Sequence, residues 1–245
     1  MAIRKRASAL SAVERQRYIS CITQLNTGPS PTPLAQLVSF HVDMRHNMHG
    51  SMGAVGRQRF LPWHRDFLLQ LEKKMQAIDP LAFIPYWKWT TNRSLPNWIA
   101  NFKPTVTVPA VPGMPGMPGF PATTINVTRS STHSSGLPTT NQLSNLITNT
   151  TIGYTQFTAQ LEGYHNTVHG WVGGTMNDIQ YSPSDPVFWM HHAMIDRLWA
   201  LWQSQPANGA KAPTLSGADK IMDPWTPDTA TGMASIGALG YSYGP

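Results

Sequence analysis

The chain of 245 residues has a single cysteine and little charge. One cysteine, Cys21, excludes an intramolecular disulfide and any metal site built from several thiolates. Only 12% of the residues are charged, which is about half the usual share of a globular domain. No apolar run approaches the ~20 residues that a membrane-spanning helix needs. We therefore expect no membrane partner.

Basic residues exceed acidic ones, with a formal net charge of +6, but they form no stripe. The only basic run is Arg4-Lys5-Arg6, and no basic patch alternates with aromatic residues. Nucleic-acid binding is therefore not expected. The N-terminal segment has no apolar core of the kind found in signal peptides, because Glu14 follows too early. This favours a cytoplasmic protein, with partner-assisted export left open.

Hydrophobic spacing predicts a mainly helical single domain over 1–245. The predicted helices run from Ser11 to about Leu25, across Leu34–His41, from Pro62 to Asp79, and near 154–170 and 185–203. Ser11 opens a capping box with Glu14, and Pro62 suits the first turn of a helix. On the third helix, Asp66, Glu72, Lys73 and Lys74 are expected to face outward. The aromatic segment 83–89 is expected to be buried and extended. Segment 100–151, rich in Pro, Gly, Ser and Thr, is expected to be a long irregular loop.

Eight of the nine histidines lie in two clusters. The first contains His41, His46, His49 and His64, and the second contains His165, His169, His191 and His192. Two sets of about three imidazoles predict two metal sites of one kind. His165 and His169 lie one helical turn apart and so share a face. Asp196 lies four residues after His192 and is expected to orient its imidazole.

The residue types in the clusters favour copper. They contain no thiolate, and Asp43 is the only carboxylate inside the first. Hydrolases with two zinc or two iron ions generally bridge the ions with carboxylates, whereas imidazole ligands suit copper. A binuclear copper site is therefore favoured, and a di-zinc hydrolase stays as an alternative.

Three motifs resemble a known family. They are Phe60-Leu-Pro-Trp-His64-Arg65, Val172-Gly-Gly-x-Met176 and Asp185-Pro-Val-Phe-Trp-x-His-His192-x-x-x-Asp196-Arg-x-Trp199. They resemble the type 3 copper proteins, namely tyrosinases, catechol oxidases and o-aminophenol oxidases, over essentially the whole chain. The resemblance implies a four-helix bundle around two copper ions, CuA and CuB, with dioxygen as co-substrate. It also implies a bare catalytic domain without a C-terminal covering domain.

The resemblance implies a set of copper ligands. The CuA ligands would be His41, His49 and His64, and the CuB ligands would be His165, His169 and His192. The family's usual spacing before the third CuA ligand would fall on Val55, and a six-residue insertion after His49 would explain the difference. His46 is the alternative to His49. His191 is expected to pack beside the site. A thioether link to Cys21 is not expected, because this cysteine lies far from His49 in sequence.

Other residues are assigned by the same resemblance. Glu162 and Asn166 resemble a pair that holds a water able to deprotonate a phenol; the alternative is a surface acid and a polar spacer. Ile179 would be a substrate gate above CuA, or else a buried loop residue. Ion pairs that fix the metal-bearing helices are expected of Arg65, Asp66, Asp196 and Arg197. His133 is expected to be solvated, and Lys88 stands where the family often has an acid. Met114 and Met117 are expected to lie in a polyproline-like loop and not to contact copper.

These observations predict a binuclear copper oxidase. It would hydroxylate small monophenols at the ortho position and oxidise catechols to o-quinones. The alternatives are an o-aminophenol or pure catechol oxidase and, from another class, a haemocyanin-like oxygen carrier. A copper-delivery partner stays open.

Overall fold

The computed structural model describes residues 2–116, 118–133, 136–225 and 235–244. The helices are α1 (Ala12–Leu25), α2 (Pro33–Val42), α3 (Ala54–Ile78), α4 (Asn97–Ala100), α5 (Thr140–Thr148), α6 (Tyr154–Val172) and α7 (Pro186–Gln203). The strands are β1 (Ala2–Arg4), β2 (Thr105–Val108), β3 (Thr123–Asn126) and β4 (Tyr241–Tyr243). Within these ranges, no helix is both long and apolar enough to cross a bilayer. The predicted mainly helical class is confirmed.

The first two helices begin where the sequence signals their caps. Ser11 Oγ accepts from the Glu14 amide at 3.2 Å, and the Glu14 carboxylate accepts from the Ser11 amide at 2.9 Å. This is the predicted capping box. Thr32 caps α2 through its hydroxyl, and Pro33 follows at a position that needs no amide hydrogen.

α3 begins at Ala54, so Pro62 lies inside the helix and not in its first turn. A proline has no amide hydrogen for the carbonyl four residues earlier, which here belongs to Gln58. The Tyr154 hydroxyl of α6 donates to that carbonyl at 3.0 Å instead. The neighbouring helix thus supplies the hydrogen-bond donor that Pro62 lacks. Sequence spacing alone does not reveal this contact.

Asp66 and Glu72, expected on the outside of α3, are buried, whereas Lys73 is exposed as expected. Glu72 accepts from the Arg4 guanidinium through both carboxylate oxygens, at 3.0 and 2.9 Å. It also accepts from the Ile84 amide at 3.0 Å. A buried carboxylate needs such partners, and these come from distant parts of the chain.

The helices that carry histidines form the predicted bundle. α3 packs against α2, α6 and α7, and α6 packs against α7. Aromatic rings fill the space between α3 and α7, with 4.5 Å between the ring centroids of Phe67 and Trp189. Large buried rings leave little freedom for rearrangement. They therefore form a stiff wall behind the histidines.

The aromatic segment 83–89 is buried and extended, as predicted. Ile84, Tyr86, Trp87 and Trp89 are each at most 1% exposed. The amide of Trp87 donates to the carbonyl of Met190 in α7 at 3.0 Å. This hydrogen bond holds the segment against α7 and so places Trp89 beside that helix.

The prediction of an irregular loop over 100–151 is wrong in part. β2 and β3 pair antiparallel, with Thr105 opposite Asn126, and α5 follows. α5 begins with a capping box between Thr139 and Gln142. Strands of four residues and a helix of nine are too short to produce clear hydrophobic periodicity.

Candidate metal centre

Three histidines from separate parts of the chain converge beside α3. His41 lies near the end of α2, His49 lies in the connection to α3, and His64 lies in α3. The Nε2 atoms of His49 and His64 are 3.3 and 3.5 Å from Nε2 of His41. All three residues are buried. These are the three residues predicted for the first copper.

His46, the alternative to His49, lies outside this group. Its Nδ1 pairs with the carboxylate of Asp223, and its Nε2 is 3.8 Å from the carboxylate of Asp43. Its ring stacks beside Trp63, with 6.2 Å between centroids. Both ring nitrogens of His46 therefore face carboxylates, and His49 is the residue that lies with His41 and His64.

The second group consists of His165 and His169 in α6 and His191 and His192 in α7. The Nε2 atoms of His165 and His192 are 3.0 Å apart. The ring of His192 stacks on that of His64, with 4.5 Å between centroids and 19° between planes. The two groups of histidines are therefore direct neighbours and form one centre.

Hydrogen bonds determine which nitrogen of each ring carries the proton. Nδ1 donates to a carbonyl oxygen in four rings: His41 to Gln180 at 3.2 Å, His64 to Phe60 at 2.8 Å, His169 to Met176 at 2.5 Å, and His165 to the side chain of Asn166 at 2.9 Å. A carbonyl only accepts, so Nε2 of each ring carries a lone pair. The lone pairs of His41 and His64 face each other at 3.5 Å and cannot hydrogen-bond to one another. A metal cation between them satisfies them.

His191 has the opposite arrangement. Trp89 Nε1, which only donates, lies 3.1 Å from His191 Nδ1. Nδ1 of His191 is therefore the acceptor, and its proton is on Nε2. Although His191 belongs to the group by distance, its ring presents no free lone pair to an ion, as expected of a packed neighbour.

Burial keeps these imidazoles neutral. Removal from water lowers the pKa of His41, His64, His165 and His192 well below the ordinary value, and neighbouring imidazoles lower it further. Burial also lowers the pKa of His169, to about 4. Neutral imidazole is the form that binds a metal ion, so the site needs no deprotonation near neutral pH.

A cavity of about 560 Å³ opens beside the two groups. Its lining includes Glu162, Asn166 and Ile179, the three residues predicted to act around the coppers. Glu162 and Asn166 are four residues apart in α6 and so share a face. Ile179 is 39% exposed and therefore lies at the mouth of the cavity, not in the core.

Glu162 is held against the backbone of the residue that follows His49. The Gly50 amide donates to Glu162 Oε1 at 2.8 Å. A Cβ on residue 50 would lie 2.4 Å from Glu162 Oε2, so any residue other than glycine would force the carboxylate to move. This role of Gly50 depends on a contact between α6 and a distant loop, so the sequence alone does not reveal it.

Comparison with known proteins agrees with this geometry. The family model for the common central domain of tyrosinase matches residues 31–113 and 117–205. The chain belongs to the tyrosinase family. A tyrosinase of Streptomyces antibioticus is 31% identical, covering 95% of this chain and 96% of that protein.

Two solved structures share the tyrosinase-family fold. The tyrosinase of Burkholderia thailandensis has a TM-score of 0.72 at 17% identity, covering 100% of this chain and 73% of that one. A functional unit of octopus hemocyanin has a TM-score of 0.70 at 21% identity, covering 100% and 68%.

Membership of the tyrosinase family identifies the cofactors. The chain is a tyrosinase-type copper oxidoreductase with two copper ions and dioxygen as co-substrate. The two histidine groups fit one ion each. The imidazole nitrogens that converge in each group, with no thiolate or carboxylate among them, provide the donor set that copper accepts.

Asp196 does not orient His192, contrary to expectation. It binds Arg65 Nε at 2.5 Å and accepts from the hydroxyls of Tyr241 and Tyr243 at 2.7 and 2.6 Å. Of the four residues expected to form ion pairs, Arg65 and Asp196 pair with each other and tie α3 to α7, while Arg197 lies over the ring of Tyr86 at 5.0 Å. No carboxylate bonds His192 Nδ1 in the described part of the chain. Its ring is positioned by stacking on Phe188, with 4.0 Å between centroids.

The remaining predicted residues lie around this tyrosinase-family site. Cys21 is buried in α1, with its sulfur 3.8 Å from the Met75 carbonyl. His133 is exposed, but it is not simply solvated, because its ring stacks on Trp171 with 3.7 Å between centroids. Met114 is 47% exposed, and Met117 lies outside the described residues.

Proposed function

We propose that this protein hydroxylates monophenols at the ortho position and oxidises o-diphenols to o-quinones with dioxygen. The observation that carries the monophenol reaction is the position of Glu162. Its carboxylate lies in the cavity beside the first histidine group, with Oε1 3.8 Å from His49 Nδ1, and is fixed by the Gly50 amide.

The proposed ligands of the first copper are His41, His49 and His64, and those of the second are His165, His169 and His192. The convergence of the ring nitrogens supports this set, and the reversed tautomer of His191 supports His192 over it. When bound, the two copper ions would activate dioxygen and accept the electrons of the substrate. The protein positions the substrate and moves its protons.

Glu162 would remove the phenol proton through a water held between its carboxylate and Asn166. A free phenol has a pKa of about 10, so at neutral pH a nearby base is needed. Asn166 also fixes the tautomer of His165, because its side-chain oxygen accepts from Nδ1. An o-diphenol is more easily oxidised and depends less on this base.

Access to the cavity separates this proposal from the oxygen-carrier alternative. Ser51, Asn177 and Ile179 line the cavity and are exposed, so a small aromatic molecule can enter. A carrier needs no such opening to its coppers. We propose that Ile179, at the mouth, acts as the gate that limits the size of the substrate.

A copper-delivery partner is part of the proposal. The cavity that admits a substrate also leads to the histidines, so the partner would supply copper ions in place of free salt and would not be needed to open the site. Incubation of the metal-free protein with copper salt, followed by metal analysis, tests this. Rapid filling of both sites by the salt alone would make the partner unnecessary.

Substitution of Glu162 with glutamine tests the proposed base. In the copper-loaded enzyme, Glu162→Gln should lower monophenol turnover by about a hundredfold, the low end for loss of a general base. Catechol turnover should change little. Asn166→Ala should act in the same direction, and Asn177→Ala, which changes another amide in the cavity wall, is the matched control. Equal losses on both substrates would make Glu162 structural, and dioxygen binding without any quinone would favour the carrier.

A further inference from the structure

The cavity beside the histidines has a single cationic side chain, Arg57, among the described residues that line it. The only carboxylate in that lining belongs to Glu162, which already accepts from the Gly50 amide at 2.8 Å. Arg57 is exposed. Within the described ranges its guanidinium has no hydrogen-bond or ion-pair partner. It is therefore available to a ligand.

The backbone at Arg57 is fixed on two sides. Its carbonyl accepts from Thr158 Oγ1 at 3.2 Å, and Thr158 lies in α6 one turn before Glu162. On the other side, a Cβ on Gly56 would lie only 2.2 Å from the carbonyl oxygen of His49. The backbone of Arg57, in the first turn of α3, is thus held in a defined position between the first histidine group and α6.

Two small residues of α6 line the same cavity. Ala159 and Gly163 are four positions apart and so face the same way. A Cβ on Gly163 would meet nothing within 4 Å, so the space above this helix face is open. A phenol with its hydroxyl at the histidines would have room here for a side chain on the opposite end of the ring.

We propose that Arg57 binds an acidic group on the substrate, so that the preferred phenols and catechols carry a carboxylate opposite the ring hydroxyl. The inference rests on the proposed function, because it assumes that aromatic substrates enter this cavity. A guanidinium matches a carboxylate in shape and charge and forms two parallel hydrogen bonds with it. Arg57 would repel a substrate whose side chain carries an ammonium group in place of the carboxylate.

Three catechols that differ in side-chain charge test the proposal without involving Glu162 as a base. They are dihydrocaffeate with a carboxylate, dopamine with an ammonium group, and neutral methylcatechol. Arg57→Gln should lower kcat/KM for dihydrocaffeate about three- to fivefold, mainly through KM, as expected for a partly exposed ion pair. Methylcatechol should be unaffected. Arg57→Glu should favour dopamine, and added salt should weaken the wild-type preference.

The control variant is Lys73→Gln, which removes an exposed cation from α3 outside this cavity. A second measurement does not need turnover: calorimetric titration of the metal-free protein with phloretate, a phenol with a carboxylate. Arg57→Gln should weaken this binding and Lys73→Gln should not. Unchanged charge preference in Arg57→Gln, or a wild-type preference for dopamine, would overturn the proposal. If no phenol or catechol is oxidised, the proposed function fails, and the titration still decides the role of Arg57.

Discussion

Replacing Gly50 with alanine tests whether Glu162 must lie where the structure places it. The new Cβ would lie 2.4 Å from Glu162 Oε2 and 3.2 Å from Cδ. To reach the 3.4 Å of an ordinary contact, the nearer oxygen must retreat by about 1 Å. That movement also breaks the alignment of the 2.8 Å hydrogen bond from the Gly50 amide.

A displacement of this size has a predictable effect on rate. Misplacing a reacting group by about 1 Å costs on the order of a hundredfold. We expect Gly50→Ala to reduce monophenol hydroxylation by this factor and to leave catechol oxidation within about threefold of wild type. Initial rates of quinone formation from p-cresol and from methylcatechol, which carry the same small methyl group, give the ratio. Copper content should stay at two ions, since His49 keeps its ring.

Gly163→Ala is the matched control. It adds the same methyl group one residue after Glu162, where a Cβ meets nothing within 4 Å. The ratio of monophenol to catechol rates should not change in this variant. The reasoning is refuted if Gly50→Ala keeps the wild-type ratio, or if it loses copper and both activities together, because the glycine would then serve only the fold of the loop.

Two further predictions concern metal binding and stability. His49→Asn should lower the copper content towards one ion per chain, whereas His46→Asn should keep two, as measured by metal analysis; the reverse result would restore His46 as the ligand. Asp196→Asn should cost about 3–5 kcal/mol of unfolding free energy at neutral pH, because it leaves Arg65 and Arg4 buried with less counter-charge. Burial alone would raise the pKa of Asp196, but these two arginines hold it below the ordinary 3.8. The stabilisation by the Asp196 carboxylate is therefore present above pH 3.8 and is lost as the pH falls through the lowered pKa. In urea unfolding, the difference in unfolding free energy between wild type and Asp196→Asn should therefore narrow only in strong acid. A difference that stays constant with pH would contradict this reasoning.

The sequence predicted those parts of the site that depend on local spacing. His165 and His169 lie one turn apart, and any helix through them places both rings on one side. The capping box at Ser11 acts within four residues and was likewise predictable. The flanking motifs then indicated the family, and with it the choice of His192, which the hydrogen bond of Trp89 supports.

Features that depend on distant contacts were not predictable. Asp196 follows His192 at a spacing that suggests a contact, but the guanidinium of Arg65 and two tyrosine hydroxyls from the end of the chain surround the carboxylate instead. Glu72 looked like a surface acid until Arg4 from the first strand was placed beside it. In both cases the partner is far away in sequence, so hydrophobic periodicity carries no information about it.

The ambiguity between His49 and His46 had the same origin and shows how the site is specified. Both residues follow α2 in one irregular segment, and either could reach His41 by chain length alone. The structure separates them: Asp223 engages Nδ1 of His46, whereas Nε2 of His49 lies 3.3 Å from Nε2 of His41. We therefore expect the choice of copper ligand in this segment to depend on the acid that engages the competing imidazole as well as on the position of the ligand itself.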